Sequence, residues 1–317
     1  MKKQILVTLP VNEEHKAYLG KCLEGFADDF EFVYTDGADP TDAQLSSATV
    51  LLGTYSPVCA KKAENAEWVQ LASAGADAFT KPGILKENVI LTNAVGAYGL
   101  TVSEHMLALT FAIVHRFGQY VRRQAEHSWK DMGPLISIEN ATVLVLGVGD
   151  IGGSYARKMK ALGAYVIGAR KNVHEKPDWL DEQVTIDRLD EVLPRADIVA
   201  MVLPSGDDTY HIMNESRFSL MKDGAFIINA GRGNSIDPAA LKDALYSGRL
   251  AGAALDVTEP EPLPTGDELW DMENVIITPH VAGWLHVPET LDRIIGIAGE
   301  NLSAWLKGEP MRNLVSH

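Results

Sequence analysis

Three short segments in the second half of the chain carry an arginine, a glutamate and a histidine in settings that suit catalysis. Ile228-Asn229-Ala230-Gly231-Arg232-Gly233 is an apolar run ending in a glycine-flanked guanidinium. Asp256-Val257-Thr258-Glu259-Pro260-Glu261-Pro262-Leu263-Pro264 is an acidic loop rich in proline. Ile276-Ile277-Thr278-Pro279-His280 is a second apolar run, ending in an imidazole. Reduction of a 2-keto acid asks for such a set. A guanidinium, here Arg232, can hold the substrate carboxylate and polarise the ketone. An imidazole, here His280, titrates near neutrality and can hand a proton to the ketone oxygen. A carboxylate beside that ring, here Glu261, favours the imidazolium and fixes its orientation. Singly, each has an ordinary reading: a loop cation, a solvated loop acid, a capping residue. Their conjunction gives them weight, because all three follow a motif that binds a hydride carrier.

That motif is Val143-Leu144-Val145-Leu146-Gly147-Val148-Gly149-Asp150-Ile151-Gly152. Four apolar residues read as a buried parallel strand, and G-x-G-x-x-G follows. Ile151, Tyr155, Met159 and Leu162 then recur with helical spacing. A glycine turn between strand and helix lets backbone N–H groups approach a pyrophosphate at the helix N-terminus. Gly147, Gly149, Asp150, Ile151 and Gly152 are therefore candidate cofactor contacts. An acid about 20 positions on commonly binds the ribose hydroxyls of NAD. Here that position is Ala169, followed by Arg170 and Lys171. Two cations suit a 2′-phosphate. NADP(H) is expected ahead of NAD(H), which the same site could also accept.

The elements around these residues alternate strand and helix in two blocks. In the first, Ile5–Leu9, Phe32–Tyr34, Val50–Leu52, Trp68–Leu71 and Val89–Leu91 are strand candidates for a small open parallel sheet. A long helix is expected from Leu100 to His127, with Leu107, Leu109, Phe111 and Val114 on its apolar face. In the second block the candidates are Thr142–Leu146, Tyr165–Ile167, Ile198–Val202, Ala225–Asn229, Gly252–Leu255 and Val275–Thr278. Six strands match a doubly wound dinucleotide-binding sheet, and open α/β sheets place ligands at the carboxyl ends of their strands. Pro238–Tyr246 reads as a helix with proline in its first turn. A last amphipathic helix, Glu289 to Leu306, could return to the first block and make that domain discontinuous. The expected division is a substrate domain over 1–98 and 288–317 and a dinucleotide-binding domain over 99–287.

Composition narrows the partners. The 317 residues are 46% hydrophobic and 22% charged, an ordinary globular balance. A net charge of −15 speaks against nucleic acid, which needs a basic surface. Cys22 and Cys59 lack metal-ligand spacing and suggest no disulfide scaffold, which fits a reduced cytoplasm. No cluster has metal-ligand spacing, and no metal is expected. No segment approaches the ~18 apolar residues of a membrane span. Met1-Lys2-Lys3 followed by Ile5-Leu6-Val7 reads as a first strand rather than a signal segment.

The order G-x-G-x-x-G, Asn-Ala-Gly-Arg-Gly, Asp-Val-x-x-x-Glu-Pro-Leu and Pro-His resembles the D-isomer-specific 2-hydroxyacid dehydrogenase family over nearly the whole chain, and glyoxylate and hydroxypyruvate reductases in particular. The resemblance implies an α/β fold of two doubly wound parallel-sheet domains, a Rossmann-type cofactor domain inserted in a flavodoxin-like substrate domain. It makes Arg232 the substrate-binding arginine, Glu261 the acid supporting the histidine and His280 the proton donor or acceptor. Asp256 matches a residue near the nicotinamide carboxamide. Ser73-Ala74-Gly75-Ala76-Asp77 resembles the loop whose N–H groups hold the substrate carboxylate, through Ala74 and Gly75. Thr101 and Glu104 match the start of the interdomain helix, and Pro204 a proline lining the cofactor cleft. Ala230, Gly231, Ala282 and Gly283 fall at close-approach positions toward the cofactor. Tyr55 lies in a loop that often faces the substrate, and core packing is its other reading. Trp129 resembles an aromatic sent toward a partner subunit's cleft, or else a buried anchor of its own domain. Val281-Ala282-Gly283-Trp284 and Asn93-Ala94-Val95-Gly96-Ala97-Tyr98 depart from the usual pattern, so substrate identity stays open. His105, His115 and His127 read as packed or surface residues, and His174 and His211 have no evident partner.

The implied activity is reversible reduction of a small 2-keto acid, such as glyoxylate or hydroxypyruvate, to the D-2-hydroxy acid by a cytoplasmic homodimer paired through the long helix. The alternative is a nucleotide-sensing, corepressor-like regulator of the same fold.

Overall fold

The computed structural model describes residues 2–172 and 175–317, so Met1 and His174 lie outside the described residues. The first stretch forms β1 (Lys3–Val7), α1 (Glu13–Cys22), β2 (Phe30–Tyr34), α2 (Asp42–Ser47), β3 (Ala48–Gly53), α3 (Pro57–Lys61), β4 (Trp68–Leu71) and β5 (Ile90–Thr92). Then come α4 (Gly99–Val114), α5 (Phe117–Ala125), β6 (Thr142–Leu146), α6 (Asp150–Ala161), β7 (Tyr165–Arg170) and β8 (Glu182–Thr185). The chain continues with α7 (Leu189–Val192), β9 (Ile198–Met201), α8 (Glu215–Leu220), β10 (Ala225–Asn229), α9 (Pro238–Tyr246), β11 (Leu250–Leu255), β12 (Val275–Ile277) and α10 (Pro288–Lys307). It divides into two compact units, Met1–Tyr98 with Leu285–His317, and Gly99–Trp284.

The first unit holds a five-stranded parallel sheet in the order β2-β1-β3-β4-β5, the flavodoxin-like arrangement. Its central strand β3 is buried at every residue, as a strand covered on both faces must be. The C-terminal helix α10 packs on α1 within this unit. A chain of polar groups ties α10 to the sheet. Trp68 Nε1 donates to Thr92 Oγ1, Thr92 donates to Gln70 Oε1, and Asn301 Nδ2 donates to that same oxygen, each at 2.8 Å. None of the four residues is more than 1% exposed. A buried polar group without a partner costs about 1–3 kcal/mol, so a fully satisfied chain specifies how α10 must dock.

The second unit is a seven-stranded parallel sheet in the order β12-β11-β10-β9-β6-β7-β8. Counted from β6, this is the Rossmann order with one further strand beyond the sixth. Six strands were expected and seven are found among the described residues. The addition is β8, an edge strand paired only with β7 and burying only Val184 among its four residues. It has no apolar run to betray it. The other strand boundaries move by three residues or fewer.

Two helices also differ from expectation. The stretch from Leu100 to His127 is not one helix. Arg116 adopts φ 58°, which separates α4 from α5. A non-glycine residue in the left-handed region leaves no sequence signature, which is why the break was hidden. Of the expected apolar face only Leu109 and Val114 are buried; Thr101, Val102, Ser103, Met106, Thr110 and Ile113 join them. Several partners, α6, β10, β11 and β12, cover α4. In α6, Tyr155 and Met159 are buried but Ile151 is only half-buried and Leu162 is exposed. Gly152, Gly153 and Ala156 complete the buried face, because α6 lies close against α4.

Candidate active site

Arg232, Glu261 and His280 follow β10, β11 and β12, three strands adjacent in the sheet, so all three sit at neighbouring carboxyl ends. Glu261 Oε1 lies 2.5 Å from His280 Nδ1. The carboxylate accepts the Nδ1 proton, which leaves Nε2 to give or take the reacting proton. Both side chains are a little under half exposed, so the pair can meet a ligand. His280 has φ 52°, a left-handed backbone in which histidine is enriched.

Buried polar groups frame the arginine and histidine turns. Asn229 ends β10 with no exposed surface. Its Oδ1 accepts from Gly231 N at 3.0 Å and its Nδ2 donates to Arg232 O at 2.9 Å. Ser235 Oγ donates to the same carbonyl at 2.7 Å. The turn that presents Arg232 is thus held from both sides, and Arg232 Nη1 reaches back to Gly231 O at 2.8 Å. Asp256, 2% exposed, does the same for His280. Its Oδ1 accepts from Thr278 Oγ1 at 2.6 Å and Val281 N at 3.0 Å, and its Oδ2 from Ala282 N at 3.1 Å. Its carbonyl takes the His280 N–H at 2.8 Å. With Thr278 donating to Asp256, His105 Nε2 donates to Thr278 Oγ1 at 3.0 Å. Asn229, Ser235, Thr278 and His105 were not picked out from the sequence. A polar residue ending an apolar strand was the available signal at Asn229.

The glycine turn lies between β6 and α6. A Cβ on Gly152 would stand 1.9 Å from Gly147 O, so only glycine lets the helix start this close to the strand. A Cβ on Gly149 would meet nothing within 4 Å. Gly149 caps α6 without a side-chain hydrogen bond. Among the described residues no N-cap side chain occupies the first N–H groups of the helix, which leaves them available to an anion. Asp150 and Ile151 occupy the first turn of α6, and among the described residues the buried Asp150 Oδ2 has no hydrogen-bond partner. Ala230 and Gly231 follow β10, and Ala230 N donates to Met201 O at the end of β9, just ahead of Pro204. Thr101 is buried in the first turn of α4, Ala282 is buried and Gly283 is half-buried.

At the end of β7, Ala169 is buried and Arg170 half-buried. Among the described residues the Arg170 side chain has no ion pair or hydrogen bond. Lys171 does, with Asp208 of the loop after β9. That pair shares out the second of the two cations expected to meet a phosphate. These residues suit a bound dinucleotide: uncapped helix N–H groups, open space at Gly149 and a guanidinium at the adjoining strand end.

In the first unit, the Ala74 carbonyl accepts from Asn93 Nδ2 at 2.8 Å and the Gly75 carbonyl from Ser73 Oγ at 2.6 Å. Among the described residues the N–H groups of these two residues make no hydrogen bond. Tyr55 corrects the expectation of substrate contact. Its side chain is buried, its hydroxyl donates to Leu6 O at 2.9 Å, and burial pushes the phenol far above its ordinary range. Trp129 is fully exposed, which overturns the reading of it as a buried anchor. It lines a hollow of about 660 Å³ with Tyr120, Arg123 and His127. Trp284 is also largely exposed. His211, without an evident partner in the sequence, pairs with Glu259 at 2.6 Å.

A Rossmann-ordered unit with a guanidinium and a carboxylate-backed imidazole at adjoining strand ends defines a nicotinamide-dependent oxidoreductase. The chain belongs to the D-isomer specific 2-hydroxyacid dehydrogenase family, whose NAD-binding domain matches residues 107–282. It is 31% identical to the glyoxylate reductase of Korarchaeum cryptofilum, over 100% of this chain and 96% of that protein. A D-isomer specific 2-hydroxyacid dehydrogenase family protein of Aeromonas salmonicida superposes with a TM-score of 0.84 at 28% identity, covering 99% of both chains. The NADPH-dependent glyoxylate/hydroxypyruvate reductase of Sinorhizobium meliloti, solved with NADP and sulfate, gives 0.80 at 27% identity over 99% of this chain and 98% of that one. The protein is an NAD(P)-dependent D-2-hydroxyacid dehydrogenase. Among the described residues no helix is long and apolar enough to cross a membrane.

Proposed function

We propose that the protein reduces glyoxylate, hydroxypyruvate or a similarly small 2-keto acid with NADPH, reversibly, to the D-2-hydroxy acid. The observation that carries this reading is the 2.5 Å contact of Glu261 with His280 Nδ1, one strand from Arg232. When bound, the dinucleotide supplies the hydride. Arg232 holds the carboxylate and draws charge from the ketone. His280, oriented by Glu261 through Nδ1, gives its Nε2 proton to the oxygen; in the reverse direction the neutral ring takes it back. Removing such a general acid costs roughly 10²–10⁴ in rate. The first unit's part, with Ala74 and Gly75 N–H groups as carboxylate donors, is supported by those groups being unengaged.

The preference for NADPH is supported by Arg170 and Lys171 in place of an acid, and by the NADPH dependence of the Sinorhizobium relative. Asp256 is proposed to lie near the carboxamide. A homodimer using the α5 region is supported by the exposure of Phe117, Val121 and Trp129. The deciding experiment is a panel of 2-keto acids assayed with both reduced nicotinamides and ranked by kcat/KM. Equal use of the two coenzymes would defeat the phosphate assignment, and turnover confined to large keto acids would defeat the substrate assignment.

A further inference from the structure

Glu261 rides on an exposed loop, yet its carboxylate must meet one nitrogen of one ring. Among the described residues His280 is its only side-chain partner. Something else must hold the main chain of that loop. One footing is Gly233, the residue after Arg232. A Cβ there would lie 1.9 Å from Thr258 O and 2.2 Å from Thr258 C, so the loop backbone rests directly on the arginine turn. The second footing is a histidine from a different part of the sheet. His211 Nε2 stands 2.6 Å from Glu259 Oε2, two residues before Glu261. Both side chains are about 30% exposed (27% and 31%). The His211 ring stacks on Tyr210 with centroids 4.0 Å apart and planes 15° from parallel. Its own N–H donates to Asn234 O at 2.8 Å, so His211 is anchored to the arginine turn as well. Thr258 Oγ1 donates to Pro260 O at 2.9 Å and closes the loop on itself.

These contacts form a closed circuit. The arginine turn carries His211, His211 holds Glu259, and the Glu259 segment lies on the arginine turn again. We infer that His211 is a positioning residue for proton transfer. By donating Nε2–H to Glu259, it fixes the main chain that brings Glu261 to His280. The inference rests on the proposed role of the Glu261–His280 pair. It gives the enzyme two histidine–glutamate pairs with separate tasks, one moving the proton and one setting the distance at which it moves.

The test compares His211→Ala, His211→Gln and Glu261→Gln with the parent enzyme. It measures kcat and KM for glyoxylate at saturating NADPH, the Kd of NADPH and the melting temperature. A misplacement of about 1 Å costs up to roughly a hundredfold in rate. The expected result for His211→Ala is about a tenfold fall in kcat, with KM and Kd within twofold of the parent. His211→Gln should recover most of the loss, because its amide N–H reaches the same carboxylate. His211→Ala added to Glu261→Gln should cost little more than Glu261→Gln alone. Full activity of His211→Ala, or losses that multiply in the double variant, overturns the proposal while leaving the proton-transfer pair intact. Full activity of Glu261→Gln overturns the pair, and this proposal with it. If His211→Ala does not fold, Glu259→Ala breaks the same bond from the solvent side and is read against the same outcomes.

Discussion

The two flanks of the dinucleotide-binding sheet are built to different degrees of rigidity. On the flank of β10, β11 and β12, a buried polar side chain stitches the arginine turn and another the histidine turn: Asn229 beneath Arg232 and Asp256 beneath His280. On the other flank, β7 ends in a half-buried Arg170, and the Lys171 side chain is 78% exposed with one partner among the described residues, itself 62% exposed. The first flank is built like a core, and the second like a surface. In the proposed reading, reaction chemistry and coenzyme choice are therefore separable, and substitutions should weigh far more on one side than on the other.

The largest effect is expected at His280. His280→Ala should lower kcat by roughly 10²–10⁴, about 3–5 kcal/mol of barrier, with NADPH binding preserved in a calorimetric titration. A variant with normal turnover would remove the rigid flank from the chemistry altogether. Next comes Asn229→Ala, which strands the Gly231 N–H and takes one of three donors from Arg232 O. A loss of about 1–3 kcal/mol in stability is expected, seen as a fall of several degrees in melting temperature. Lys171→Ala is the matched control and should stay within about 0.5 kcal/mol of the parent. If the two variants melt alike, the contrast in rigidity fails.

The same contrast explains what could be read in the sequence. Arg232, Glu261 and His280 were legible because each ends or follows a short apolar strand and because their order has chemical sense. The strands themselves were legible where both faces are buried, as in β3, β6 and β10. The single buried residue of β8 gave no such pattern, and the left-handed turn at Arg116 carries no residue type that announces it. Contacts between distant segments were hidden for another reason. Nothing in the spacing of His211 and Glu259, or of His105 and Thr278, says that the fold brings them together. Tyr55 was misplaced because its position in a loop after a strand does not tell which way the ring turns, and the Leu6 carbonyl decides it.

On the loose flank, Arg170 should matter more than Lys171. Its guanidinium is unengaged among the described residues and can grip a phosphate with two hydrogen bonds. Arg170→Ala should lower kcat/KM with NADPH about ten- to hundredfold and leave the value with NADH within twofold, since charged hydrogen bonds contribute about 1.5–3 kcal/mol. Equal losses with both coenzymes would place Arg170 outside phosphate selection.

The smallest effect is expected at Asp208, and its sign follows from titration. The hydrogen bond from Lys171 holds the Asp208 carboxyl below its ordinary range, and the same bond raises Lys171. A carboxylate with a lowered folded pKa contributes while it is ionised. Its contribution is complete above the unfolded value and is lost as pH falls through the folded one. At neutral pH Asp208 is therefore charged and occupies Lys171, and a 2′-phosphate arriving beside Arg170 must compete for that ammonium. Surface pairs of this kind are weak and screened by salt. Asp208→Asn should raise the NADPH-to-NADH ratio of kcat/KM only about two- to threefold at low salt, and the gain should disappear near 1 M salt. An unchanged ratio would leave selection to Arg170 alone. A fall in the ratio would mean that Asp208 holds Lys171 in place for the phosphate instead of competing for it, and the flank judged loose would then be organised after all.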